Sequence, residues 1–169
     1  MSLFLAIILF MKKIILLFCL FSTSVIFSQQ THFNKEALQD KLVNLDGTSI
    51  TFAEVLKNHA NKPVLLDIWA SWCKDCIAGF PDLKDLQKKH KDIDYVFLSL
   101  DKDLDRWKAG IKKYDLKGDH YYISSGWKGS LCSSIDLDWI PRYILINADG
   151  SIQVYRAITT SDNQLKNNL

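Results

Sequence analysis

The sequence predicts one α/β domain built on a mixed β-sheet, and three observations carry that prediction. Residues 64–70 and 95–100 are nearly continuous apolar runs, the pattern of strands buried on both faces of a sheet. Between them Ile77, Phe80, Leu83 and Leu86 recur at helical spacing, so strand and helix alternate as in α/β folds. Near the C-terminus, residues 143–146 and 152–155 flank Asn147-Ala148-Asp149-Gly150, a hairpin that makes the sheet mixed.

Taken in order, the chain opens on a leader. Lys12 and Lys13 precede an apolar run at 14–27, then Ser28 and the polar Gln29-Gln30-Thr31. These are the charged start, apolar core and small-residue exit of a secretory signal peptide. The expected division is a signal peptide at 1–28 and a folded domain at 29–169. Met11 would serve as initiator as well as Met1, because residues 1–10 add apolar length that export does not need. A retained leader would instead anchor the domain in a membrane, although two lysines inside the apolar stretch oppose insertion. Cys19 follows Phe18, not the small residue that precedes a lipidated cysteine, and reads as part of the leader.

Residues 29–44 predict no firm structure beyond a strand at 42–45. Asp46-Gly47 is a two-residue turn between 41–45 and 48–51, a β-hairpin. Thr51 suits a helix N-cap, with Glu54 completing a capping box and Phe52, Val55 and Leu56 as the apolar face. Lys62-Pro63 ends that helix, and the strand at 64–70 follows with the carboxylate of Asp67 in its middle. The next helix, 76–90, holds Pro81, which predicts a kink because the apolar spacing continues past it. Beyond the strand at 95–100, Asp103 or Asp105 can cap a helix carrying Trp107, Ile111 and Tyr114 and ending near Gly118. Residues 120–123 read as a short strand, 131–135 as a short helix, and the tail from Thr159 as a brief final helix.

The 21 Lys and Arg include the two leader lysines, so the remaining body balances its 19 Asp and Glu and is neutral. A neutral body without a long basic run argues against nucleic acid as the main partner and against polybasic membrane binding. Three cysteines follow the leader, Cys73, Cys76 and Cys132, an odd count that leaves at least one thiol unpaired within the chain. His32, His59, His90 and His120 are expected at the surface, Trp107 and Trp127 in packing roles, Cys132 as a buried core thiol, and residues 84–91 as a solvated helix face.

The chemistry concentrates at Trp69-Ala70-Ser71-Trp72-Cys73-Lys74-Asp75-Cys76, where a buried strand ends and a helix begins. Two intervening residues put Cys73 at the helix N-terminus and Cys76 one turn inside, close enough to close a small disulfide ring. The unpaired N–H groups and positive end of the helix favour a thiolate at Cys73, the nucleophile, while the more buried Cys76 resolves the mixed disulfide. Zinc is the main competitor for a bare C-x-x-C pair, but it needs two more ligands and finds only Cys132 with His120.

In these residues the sequence resembles the thioredoxin superfamily, and within it the exported TlpA/ResA-like thiol/disulfide oxidoreductases, from about Leu42 to Tyr155. Asp67 lies six residues before Cys73, where that family keeps a buried carboxylate; Pro81 falls where it kinks its active-site helix; Ile140-Pro141 is similar to its cis-proline element. The hairpin at Asp46-Gly47 and the extra helix and strand between Asp101 and Ser130 look like additions of the TlpA/ResA group. The resemblance implies a thioredoxin fold and disulfide exchange with protein thiols or disulfides, without a bound cofactor, by a periplasmic monomer whose upstream redox partner is not identified. Asp67 would then have a raised pKa and exchange a proton with Cys76. Ile140 and cis-Pro141 would offer backbone to an extended substrate, and Trp72 and Trp139 would wall the site. Ile140 before the proline matches reductive members.

Departures accompany the match. Lys74-Asp75 is not the Gly-Pro of thioredoxin, Phe97 stands about where thioredoxin has a lysine near its buried Asp, and Arg142 replaces a common threonine, which predicts a groove biased toward acidic substrates. The alternative from another class is a copper-binding or delivery module using Cys73 and Cys76 as soft ligands, with His120 as its one downstream helper.

Overall fold

The computed structural model describes residues 30–169, so the expected leader, its lysines and its exit at Ser28 lie outside the described residues. The first element departs from expectation. Asn34 accepts a hydrogen bond from the Ala37 N–H at 2.8 Å and caps a one-turn helix, α1 (Lys35–Leu38), in a stretch that predicted none. One turn buries a single side chain, Ala37, too little to write a period into the sequence.

The hairpin then forms as expected from β1 (Lys41–Val43) and β2 (Ser49–Thr51). Thr51 caps α2 (Phe52–Asn58) through a complete capping box with Glu54. The alternation that follows is β3 (Val64–Trp69), α3 (Lys74–Lys89), β4 (Asp94–Ser99), α4 (Leu104–Tyr114) and β5 (Asp119–Ile123). The chain closes with α5 (Ser130–Ser134), β6 (Arg142–Ile146), β7 (Ile152–Ala157) and α6 (Asn163–Lys166). Asp103, of the two candidates, caps α4, and Asp115 ends it in the left-handed region. Pro81 sits inside α3, which runs through it.

Seven strands form one sheet in the order β2-β1-β5-β4-β3-β6-β7. β3, β4 and β5 are parallel, whereas β6 and β7 on one side and β1 and β2 on the other are antiparallel. The N-terminal hairpin and the inserted strand therefore meet, because β1 pairs with β5. Asp40 strengthens that junction: its carboxylate accepts from Ser125 Oγ at 2.9 Å and from the Leu131 N–H at 2.8 Å.

Every residue of β3 and β6 is buried, as expected of central strands. Trp69, Phe80 and Tyr114 pack in series, with centroids 5.6 and 5.4 Å apart, and tie α3 and α4 to the end of β3. Gly110 permits that approach, since a Cβ there would stand 2.7 Å from the Ser71 Cβ. Two histidines expected at the surface are buried instead. His59 is drawn in by carboxylates, with Nδ1 2.8 Å from Asp94 and Nε2 3.5 Å from Asp119. His120 stacks on Phe97 at 4.9 Å with Nε2 3.2 Å from the Leu116 carbonyl oxygen, and burial lowers its pKa.

Candidate active site

The register of the sheet assembles the site. β6 is antiparallel to β3 with Arg142 opposite Ile68, so the segment entering β6 lies beside the segment leaving β3. That brings Ile140 and Pro141, joined by a cis peptide bond, to the turn that carries Cys73. Site residues far apart in sequence thus meet at the carboxyl end of a parallel strand, the usual place for function in α/β sheets.

Cys73 is the N-cap of α3, with sulfur in the place of the usual hydroxyl or carboxylate: its Sγ accepts from the Cys76 N–H at 3.1 Å. The two cysteines form a disulfide, with Cα atoms 5.3 Å apart. Cys73 keeps 6% exposure and Cys76 none, so the pair is asymmetric to anything arriving from solvent. The Ile140 carbonyl oxygen lies 3.6 Å from Cys73 Sγ. The backbone before the cis-proline is therefore beside the exposed sulfur.

Asp67 is 2% exposed, and among the described residues neither carboxylate oxygen has a hydrogen-bond partner. Its neighbours in register are Phe97 on β4 and Tyr143 on β6. Among the described residues no cation offsets the burial, which pushes its pKa up to about 8. Burial, with Asp67 and Asp82 adding to it, also raises the Tyr143 hydroxyl far above its ordinary value.

A groove of about 460 Å³ beside the disulfide is lined by Trp72, Cys73, Trp127, Trp139 and Ile140, with Lys74, Asp75 and Asp138 at its edge. Trp72 and Trp139 stand there as expected. Trp127 does not pack inside: it is 39% exposed and forms a third wall, delivered by the loop after β5. Arg142 also departs from expectation. It is fully buried, with Nη1 donating to the Ile135 carbonyl at 3.0 Å and Nη2 to Asp138 at 2.6 Å, so it holds the loop and does not charge the groove. Cys132 is the buried free thiol expected, and burial pushes its pKa up to about 12.

Asp101 is a positioning residue that the sequence reading missed. Its carboxylate accepts from the Ser71 N–H at 3.1 Å, from Ser71 Oγ at 2.6 Å and from Ser99 Oγ at 2.9 Å, fixing the turn that leads to Cys73. The available signal was its place just after a buried parallel strand.

Comparison with known proteins agrees with this geometry. The thioredoxin-like family pattern matches residues 61–152. The thiol-disulfide oxidoreductase ResA of Bacillus thuringiensis subsp. konkukian is 28% identical over 126 residues, covering 73% of this chain and 69% of that protein. Among solved structures, a thiol-disulfide oxidoreductase from Bacteroides fragilis superposes with a TM-score of 0.64 at 26% identity, over 79% of this chain and 96% of the other. A secreted Mycobacterium tuberculosis disulfide oxidoreductase shares the fold, with a TM-score of 0.58 at 22% identity over 79% and 94% of the two chains. With its buried carboxylate strand, its cysteine-capped helix and its cis-proline in register, the chain belongs to the thioredoxin superfamily and to the TlpA/ResA-like group within it.

Proposed function

We propose that this protein is an extracytoplasmic thiol/disulfide oxidoreductase that acts on protein cysteines and runs mainly as a reductant. The observation that carries the reading is the asymmetric disulfide at the N-terminus of α3, with Cys73 accepting the Cys76 N–H and facing the Ile140 carbonyl.

In the reduced protein the same N–H and the positive helix end favour the Cys73 thiolate. That thiolate attacks one sulfur of a substrate disulfide, and the other substrate sulfur leaves and takes up a proton. The ionised form of Asp67 then takes the proton of Cys76, which attacks Cys73 Sγ; the second substrate sulfur leaves as a thiolate and takes up a proton from water, and Asp67 returns the proton it took to water. The protein dithiol loses two electrons and two protons; the substrate disulfide gains them. A carboxylate whose pKa is raised to about 8 is matched to a thiol near 8.5, whereas one near 3.9 would be a poor base for it. Ile140 and cis-Pro141 support docking of an extended substrate segment, with Trp72 as a wall.

Two features support the reductive direction. Lys74 and Asp75 place one positive and one negative charge between the cysteines, so the thiolate rests on the helix end without a net cation. Strong oxidants depend on a strongly stabilised reduced form. The Ile140-Pro141 pair points the same way by family resemblance. Export is supported by the charged and apolar leader pattern of residues 12–28. His120, the helper sought for a copper site, is turned to Leu116 and stacked on Phe97.

A dithiothreitol or glutathione redox titration with mass-tagged alkylation tests the reading. Two thiols should disappear together at one potential, nearer to about −270 mV than to about −120 mV. If no pair closes, and the protein instead captures copper stoichiometrically through Cys73 and Cys76, soft-metal binding replaces it.

A further inference from the structure

The substrate groove has two halves of different chemistry, divided by Trp139. The half beside Cys73 is walled by three exposed indoles, Trp72 at 49%, Trp127 at 39% and Trp139 at 57%, with Lys74, Asp75 and Asp138 at its edge, so it holds a cation that the second half lacks. Large apolar side chains gathered at a concave surface mark a place where apolar groups are received. Across Trp139 lies a second hollow of about 320 Å³, floored by Pro141 and Tyr143 and edged by Asp75 and Asp82.

Among the described residues no lysine, arginine or histidine lines that second hollow. Asp75 and Asp82 are both exposed and lie seven residues apart, two turns along one face of α3. Among the described residues neither makes an ion pair or a hydrogen bond, whereas Arg142 and Arg156 are both engaged by Asp138. Asp82 and Tyr143 line the same hollow. The groove is therefore negative on this side, the reverse of what Arg142 suggests in the sequence.

Resting on the thiol/disulfide reading of Cys73, we propose that the preferred substrate is a cationic polypeptide segment with a large apolar side chain on one flank of its cysteine and a lysine or arginine on the other. The apolar side chain enters the tryptophan hollow while the segment lies against the Ile140 backbone. The cation lies along Asp75 and Asp82, where opposite charge speeds encounter and selects among partners.

The test uses the reduced full protein and peptides carrying one cysteine in disulfide linkage with 2-nitro-5-thiobenzoate. Each peptide has Phe on one flank and Lys, Gln or Glu on the other, made in both orders, and its rate is divided by its rate with free dithiothreitol. In one order, the Lys peptide should react about fivefold faster than the Glu peptide at low salt, and the advantage should vanish in 1 M salt. Asp82→Asn should bring the ratio toward one and Asp82→Lys should invert it. Replacing Phe by Ser should slow the wild type and leave Trp139→Ala indifferent. Equal Lys and Glu rates in the wild type, or a ratio untouched in Asp82→Lys, overturn the proposal while thiobenzoate release preserves the oxidoreductase reading. Absence of thiobenzoate release from every peptide, together with no reduction of glutathione disulfide to glutathione, overturns both.

Discussion

Two cysteines three residues apart differ because one caps a helix and the other is inside it. Cys73 retains a sliver of solvent access and the Cys76 N–H; Cys76 is sealed. Cys73→Ser should therefore abolish exchange, while Cys76→Ser should accumulate mixed disulfides with substrate, visible as adducts by intact mass. Equal residual turnover in both variants would break the assignment of roles. Asp67 differs from an ordinary carboxylate only through its surroundings, with no cation and no donor among the described residues to hold it ionised. Asp67→Asn should slow exchange roughly tenfold or more at pH 7 with the fold intact, and should erase an ionisation near pH 8 from the rate profile. An unchanged profile would remove Asp67 from the mechanism.

At the scale of elements, the active-site turn is held from the neighbouring strand. Asp101, just beyond β4, gathers three donors from Ser71 and Ser99 while itself buried. Removing a charged acceptor strands those donors, so Asp101→Ala should lower the unfolding free energy by about 2–4 kcal/mol in urea melts. A loss no larger than that of a surface substitution would show that the turn stands without it. The loop into β6 is held in the same manner by Arg142 and Arg156 on Asp138. The entry to β5 is set by Gly118, whose φ of +141° and 2.4 Å approach of the Tyr95 carbonyl to a Cβ exclude other residues.

At the scale of the molecule, a buried carboxyl with a raised pKa makes stability depend on pH. Unfolded, Asp67 gives up its proton near pH 3.9; folded, it keeps it to about pH 8. Stability is thus lost as pH rises between those values, by about 4 kcal/mol at pH 7, and is level above and below the window. The urea midpoint of Asp67→Asn should gain on the wild type from pH 4 to pH 8 and then run parallel to it; a constant difference would contradict the burial argument. No helix among the described residues is long and apolar enough to cross a membrane. Intact mass of protein recovered from the extracytoplasmic fraction should show a start near Gln29, and recovery of the full chain in membranes would indicate a retained leader.

The sequence by itself determined the succession of strands and helices from β1 onward, the hairpin before α2, the capping box at Thr51 and the cysteine pair at the strand-to-helix junction. All of these are local: burial on two faces, helical spacing and turn chemistry are written into consecutive residues. The cis-proline and the burial of Asp67 were legible through family resemblance. Only the tertiary structure decided where Arg142, Trp127, His59, His120 and Asp101 point, because each is governed by a partner supplied from a distant segment. Arg142 is the clearest case. A lone arginine beside the groove suggests acidic substrates, yet Asp138 and the Ile135 carbonyl bind it inside the loop, leaving the hollow beyond Trp139 to Asp75 and Asp82. Side-chain charge is a property of sequence, but the field at a site depends on which charges the fold has already paired.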